Sequence, residues 1–325
     1  MHYRTYGDLS TIIRANIGRY QAGGYDLVVG IPRSGMIPAY MVGLFLNVNV
    51  CSFQQFRDNV RFEQLGRRPL SAALEFPSEA RHVLIVDDTY NTGIRLSELM
   101  DTLAPEVRGR CDTSVIYALN EDADVDFYLE VLPLPRVFEW NIYHHDAYLL
   151  TTAFDMDGVL CRDPTAEEND DGPLYRQFIR TAEPLFLPST KIGAIITSRL
   201  EKYRPETEGW LGDHGVTYEN LIMLNMASAE ERRQKQAYGS FKAQEYVRGH
   251  YTLFIESEEH QAIEINHLSH KPVYCVASNR IIDEPVDVAV LQPPRRIRDR
   301  IARVPLFGPA LQTLWHAAKG IHPPK

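Results

Sequence analysis

The chain has 325 residues, enough for two domains each with its own core, and its 44% apolar and 24% charged residues are the balance of a folded globular protein. A formal charge of −9 excludes tracking along a nucleic-acid backbone as the expected task, because an acidic surface repels phosphates. No apolar run approaches bilayer-spanning length and MHYRTYGDLS lacks a signal-peptide pattern, so no transmembrane segment and a cytoplasmic location are expected. Cys51, Cys111, Cys161 and Cys275 match neither a zinc pattern nor a disulfide framework, and read as reduced thiols.

Ile12, Ile13 and Ile17 predict a helix over residues 9–20, stopped at Gly23-Gly24. Apolar runs then alternate with helical stretches: Tyr25–Val29, Val48–Phe53, Val83–Val86 and Ser114–Leu119. Such alternation predicts a mostly parallel sheet with helices on its faces. Prolines in Leu132–Arg136 break the pattern, and a second series follows with strands at Leu149–Phe154, Ile192–Thr197, Leu221–Leu224, Leu253–Ile255 and Val273–Val276. The expected fold class is therefore α/β, with two Rossmann-like parallel-sheet domains at residues 1–145 and 146–280 and a basic extension at 281–325. In that extension Arg295, Arg296, Arg298, Arg300 and Arg303 interleave with apolar residues, which suits packing across the domain interface or, second, peripheral contact with anionic lipid headgroups.

Two adjacent carboxylates, Asp87 and Asp88, stand at the carboxyl end of an apolar strand, where open α/β sheets bind ligands. Thr89, Asn91, Thr92 and Gly93 follow in a turn that opens a helix, a setting that can enclose a phosphate. The acids would repel that phosphate; a ribose diol, with Mg²⁺ nearby, suits them. A second strand-to-helix turn, GIPRSG, offers Arg33 to a diphosphate, with Ser34 beside it and with Gly30 and Gly35 admitting backbone amides. Arg57, Arg61, Arg67 and Arg68 lie in a basic segment that could close over the anion.

VLIVDDTYNTG resembles the PRPP-binding signature of type I phosphoribosyltransferases, and YDLVVGIPRSGMIPA resembles their pyrophosphate loop. The resemblance implies a type I fold in which Asp87 and Asp88 hold the ribose hydroxyls. It also implies that Thr89, Asn91, Thr92 and Gly93 bind the 5-phosphate, while Arg33, Ser34 and Gly35 bind the diphosphate. Arg95 departs from the small or hydroxyl residue common in that family.

In AFDMDGVLC, Asp155 and Asp157 are two apart and can face one cavity, with Gly158 allowing the sharp turn after them. Carboxylates this close need a cation or a shared proton, and Mg²⁺ is the natural partner beside a phosphate substrate. The segment resembles the first motif of haloacid-dehalogenase-type phosphatases. Thr197 in IITSR, Lys242 in SFKAQEY (with Lys235 as rival) and Glu256 in LFIESEE follow in that family's order, with Glu259 as a helper. The resemblance implies Asp155 as nucleophile, Asp157 as acid and base, Thr197 and Lys242 on the phosphoryl group, and Mg²⁺ on Asp155, Asp157 and Glu256. The spacings leave no room for a large cap domain, so the second fold is expected to be capless; the resemblance implies that such a phosphatase takes a large substrate or a lid from elsewhere.

The pair of motif sets resembles the bifunctional proteins of bacterial ribofuranose-glycan biosynthesis. It implies transfer of ribose 5-phosphate from PRPP to a glycan or lipid-linked glycan acceptor, then removal of the 5-phosphate. Two alternatives stay open: nucleotide salvage with nucleotidase activity, where Tyr3, Tyr6 and Trp140 could wall a nucleobase pocket, and a PRPP-sensing regulator. Otherwise Trp140 reads as a packing anchor, and His144 and His145 as surface or linker residues.

Overall fold

The structure is a computed structural model and describes residues 1–63, 69–228, 230–231 and 238–283. Thr5 opens the helix Tyr6–Gly23 with a capping box: its hydroxyl accepts from the Asp8 amide and the Asp8 carboxylate accepts from the Thr5 amide. Gly24, at φ 65°, ends that helix.

Five parallel strands form the first sheet, in the spatial order β3 (Asn49–Ser52), β2 (Leu27–Gly30), β4 (Val83–Tyr90), β5 (Cys111–Ala118) and β6 (Phe127–Val131). The second sheet has six, ordered β10 (Tyr218–Leu224), β9 (Ile192–Leu200), β8 (Thr152–Phe154), β11 (Leu253–Glu256), β12 (Val273–Cys275) and β13 (Arg280–Ile282). All are parallel except β13, which runs antiparallel to β12. The α/β class with two parallel sheets is as expected. Central strands are covered on both faces, which is why VLIV of β4 and AII of β9 are unbroken apolar runs with every side chain buried.

Strand order decides where ligands can sit. In the first sheet the chain steps from β2 outward to β3, then returns to lay β4 on the other flank of β2. In the second it steps from β8 to β9 and β10, then returns to place β11 beside β8. The order thus reverses between β2 and β4, and again between β8 and β11. At such switch points the loops diverge and leave a crevice outside the carboxyl ends. Pairing of β2 with β4 ends at Gly30 and Val86, whereas β4 runs on along β5 to Tyr90, so the wall beyond Val86 is open on the β2 side.

Some elements differ from expectation. Leu149 closes a short helix, Asp146–Leu149, and the strand begins only at Thr152, because the Thr151 and Thr152 hydroxyls both turn back onto the Tyr148 carbonyl. A further parallel pair, β1 (His2–Arg4) with β7 (Arg136–Phe138), lies outside both sheets. It joins them: Tyr3 donates to Asn279 Oδ1 at 2.6 Å and meets the Tyr274 ring edge-on at 5.4 Å. Ile142 and Tyr143 pack within the core of the second sheet, with Tyr143 stacked on Phe186 at 4.8 Å. The four thiols are unpaired. Among the described residues no helix is long and apolar enough to cross a membrane. Arg67, Arg68, Lys235 and the basic extension beyond residue 283 lie outside the described residues.

Candidate active sites

The first crevice forms where the loop after β2 folds against the end of β4. Gly35 makes that closure possible: a Cβ there would stand 2.6 Å from both Asp87 Oδ1 and the Ile31 carbonyl. A cavity of about 340 Å³ opens above it, lined by Arg33, Ser34, Asp87, Asp88, Thr89, Asn91, Thr92 and Gly93. Every residue expected to touch PRPP thus lies at one place, with Gly35 buried beneath. A larger cavity of about 690 Å³, beyond the same loop against Arg108, Asp124 and Asp126, has none of these acids in its wall.

The two acids differ in setting. Asp88 is 4% exposed; its Oδ1 accepts from Ser34 Oγ at 2.8 Å and its Oδ2 from the Trp140 indole N–H at 2.7 Å. Asp87 is more open, and its Oδ1 accepts from the Asp88 amide at 2.9 Å. Burial, reinforced by the neighbouring Asp88 charge, pushes the Asp87 carboxyl up to about 8. Arg33 is exposed at the mouth. Arg95 uses its length to donate to the Pro32 carbonyl at 2.8 Å, which ties the turn after β4 to the loop after β2. Arg57 and Arg61 pair locally, with Asp58 at 2.8 Å and Glu75 at 2.5 Å, and do not reach the crevice.

Sequence reasoning gives Arg136 no role, yet it is 3% exposed and donates to Asn91 Oδ1 at 2.5 Å, to the Tyr90 carbonyl at 3.0 Å and to the Leu132 carbonyl at 2.7 Å. The signal is a guanidinium inside the apolar stretch RVF, tolerable in a core only if its donors are used.

At the second switch point the strand ends carry a buried chain of charges. Asp155 follows β8 directly, and its amide donates to the Ile255 carbonyl of β11 at 2.9 Å. Lys242 Nζ donates to Asp155 Oδ2 and Glu256 Oε2, both at 2.7 Å, and to Gln261 Oε1 at 3.0 Å. Lys242 and Glu256 are 1% and 0% exposed. Burial alone would lower the Lys242 pKa, but its two carboxylate partners override that and raise it. Burial raises Asp155 to about 7, opposed by Lys242 and reinforced by Glu256. Glu256 Oε1 also accepts from the amides of Ser257 at 3.0 Å and Glu258 at 3.2 Å.

Gly158, at φ 75°, passes so close to β11 that a Cβ would stand 2.4 Å from Ser257 Oγ. Asp157 is gripped by Arg199, whose Nη2 lies 2.5 Å from Oδ1 and whose Nε lies 3.2 Å from both oxygens. Arg199 is itself buried, and its amide donates to Thr197 Oγ1 at 3.2 Å. Sequence reasoning missed Arg199, although strand alternation places it on the face of Thr197. Glu259 is not a helper here: it pairs with Arg280 at 2.6 Å on the surface. Between β8 and β9 the chain adds only the helix Pro173–Thr181, without an inserted domain. Among the described residues no group of three or more His, Cys, Asp or Glu side chains is arranged to hold a metal ion.

Removing Arg199 strands a charge. Arg199→Met is expected to destabilise the protein by about 3 kcal/mol, the low end for breaking a buried pair, because the Asp157 side chain is 20% exposed. Urea denaturation measures it, and adding Asp157→Asn to that variant should restore part of the loss.

No family model matches the chain, and no curated protein matches it. Solved structures do. A purine phosphoribosyltransferase from Pyrococcus horikoshii shares 19% identity over 43% of this chain and 92% of its own, with a TM-score of 0.32. The xanthine-guanine-hypoxanthine phosphoribosyltransferase of Helicobacter pylori shares 14% over the same fractions, with a TM-score of 0.32. A chain of a Pnkp1/Rnl/Hen1 complex shares 13% over 82% of this chain and 92% of its own, with a TM-score of 0.26. Likenesses this distant assign no activity.

Proposed function

We propose that the chain is a bifunctional enzyme whose first unit, residues 1–145, transfers ribose 5-phosphate from PRPP to an acceptor. The second unit, 146–280, then removes the 5-phosphate by way of an aspartyl-phosphate. The observation that carries this reading is the convergence of each predicted residue set on its own switch point, Asp87, Asp88 and Arg33 around one cavity and Asp155, Lys242 and Glu256 in one buried cluster.

At the first crevice Asp87 and Asp88 would hold the ribose diol, the turn from Thr89 to Gly93 the 5-phosphate, and Arg33 and Ser34 the leaving diphosphate. At the second, Asp155 would attack phosphorus, and Asp157 would give a proton to the leaving alkoxide and then take one from water; since Arg199 holds Asp157 as a carboxylate, that acid step requires Asp157 to leave the ion pair and take up a proton first. Lys242 and Thr197 would balance the phosphoryl charge.

Both acid sets fit Mg²⁺, which takes one or two carboxylates plus substrate phosphate oxygens. Asp87 beside Asp88 is a like-charge pair under strain of burial. At the second crevice Asp155 and Glu256 offer oxygen donors around one buried lysine, whereas the Asp157 carboxylate, also expected on the ion, is held by Arg199. When bound, the ion would supply charge neutralisation for the diphosphate and for the transferring phosphoryl group.

The acceptor we favour is a glycan or lipid-linked glycan, since among the described residues no inserted domain encloses a compact phosphoester. A second acceptor class has an observation of its own: Tyr6 and Trp140, ring centroids 5.5 Å apart, present an aromatic face beside Asp88 that suits a nucleobase. Mass spectrometry after incubation with PRPP and a panel of glycans and nucleobases separates the two. The phosphatase is expected to show its highest kcat/KM on a phosphoribosylated glycan, above free ribose 5-phosphate and a mononucleotide. A preference for the nucleoside 5′-monophosphate would replace the glycan with the nucleobase.

A further inference from the structure

Trp140 does more than pack. Its indole N–H donates to Asp88 Oδ2 at 2.7 Å while Ser34 Oγ donates to Oδ1 at 2.8 Å, so both oxygens of a nearly buried acid are held from opposite sides. The indole is itself fixed. Phe138 stacks on it at 4.8 Å with 20° between planes, Tyr117 at 6.4 Å, and Tyr6 leans against it at 5.5 Å. Phe138 belongs to β7, which begins at Arg136, the residue that grips Asn91 and the Tyr90 carbonyl of the phosphate turn. This short strand and the two residues after it therefore reach both the acid and the turn.

An aspartate rotates broadly about its terminal torsion, and each orientation aims its lone pairs differently. Two donors of fixed position select one orientation. A carboxylate oxygen keeps further lone-pair capacity after accepting one hydrogen bond, so Asp88 can still receive a ligand hydroxyl, along a direction set in advance.

We infer that Trp140 is a positioning residue of the transferase site, whose indole N–H orients Asp88 toward the vicinal diol of the ribose 5-phosphate group and so favours ribosyl over 2-deoxyribosyl ligands. This rests on the transferase reading and deepens it. A site built to bond two hydroxyls rejects a ligand lacking one, because a buried acceptor is then left unpaired; that penalty weakens when the acceptor can turn away.

The test is calorimetric titration of the full chain with PRPP, ribose 5-phosphate and 2-deoxyribose 5-phosphate, for wild type, Trp140→Phe and Trp140→His. Phenylalanine keeps the stack and loses the N–H; histidine keeps an N–H donor on a smaller ring. Trp140→Phe is expected to bind PRPP about tenfold more weakly, the size of one lost bond to a charged group, and to narrow the ribose to deoxyribose ratio. Trp140→His is expected to retain more of both. A packing role predicts the reverse order, and that order, or Trp140→Phe binding PRPP as wild type does, overturns the inference. Wild type failing to bind PRPP removes the transferase reading itself, a result distinct from wild type binding with all variants equal. The wild-type protein gives a readout independent of folding in the variants: of the three indole N–H resonances, one is expected to shift on addition of PRPP. A set that stays in place overturns the inference.

Discussion

Asp155→Asn is expected to lower phosphate release by about 10³-fold or more while pyrophosphate release from PRPP and acceptor stays at the wild-type rate. The amide keeps the shape and removes the oxygen proposed to attack phosphorus. Lys242 loses one anionic partner but retains Glu256 at 2.7 Å and Gln261 at 3.0 Å, so the buried chain is not emptied. The two crevices lie in different sheets, and Asp155 belongs to only one of them. Product from the variant should therefore accumulate one phosphate heavier than from wild type, as mass spectrometry reads directly. A variant that still yields fully dephosphorylated product would show that another residue attacks phosphorus.

The converse change should silence the other half. Asp87→Asn with Asp88→Asn is expected to remove PRPP binding by calorimetry and pyrophosphate release, while hydrolysis of a small phosphoester persists. Stability gives a separate check. The Asp87 carboxyl is raised to about 8, above its value of roughly 4 in the unfolded chain. The folded state therefore holds that proton more tightly, and the stability this contributes is complete below about pH 4 and lost as pH rises through about 8. Asparagine cannot ionise. Asp87→Asn alone should match wild type in Tm below about pH 4 and exceed it above about pH 8. A variant that lost PRPP binding by unfolding would show the opposite.

Much of this was readable from residues in sequence. VLIV and AII announced buried parallel strands because a strand covered on both faces has no polar side, and DD, DMD and GIPRSG stood at the strand ends where such sheets bind ligands. What stayed hidden came from pairing across long separations. Arg136 reaches Asn91, Trp140 reaches Asp88 and Arg199 reaches Asp157, over 45, 52 and 42 residues, and local pattern carries no trace of such partners. Strands β1, β6, β7 and β13 escaped for a related reason: three to five residues each, they are too short for alternation to stand out. Glu259 misled because adjacency to Glu256 says nothing about direction, and the helix beginning at Glu259 turns it toward Arg280.

The pairing of β1 with β7 bears on the order in which the protein takes shape during synthesis. His2–Arg4 leaves the ribosome well before its hydrogen-bonding partner, Arg136–Phe138, which follows more than a hundred residues later. By then the five strands of the first sheet have all been made, along with both ligand-facing loops. A nascent chain at that stage carries Asp87, Asp88 and the turn after them without Trp140 or Arg136 to hold them. Non-local closures of this kind come late, after local contacts have formed. The same closing segment continues into Ile142 and Tyr143, which need the second sheet to bury them. Completion of the first crevice is thus timed by the arrival of the segment that also anchors the second half, so the first unit would not be finished much before the second begins to fold.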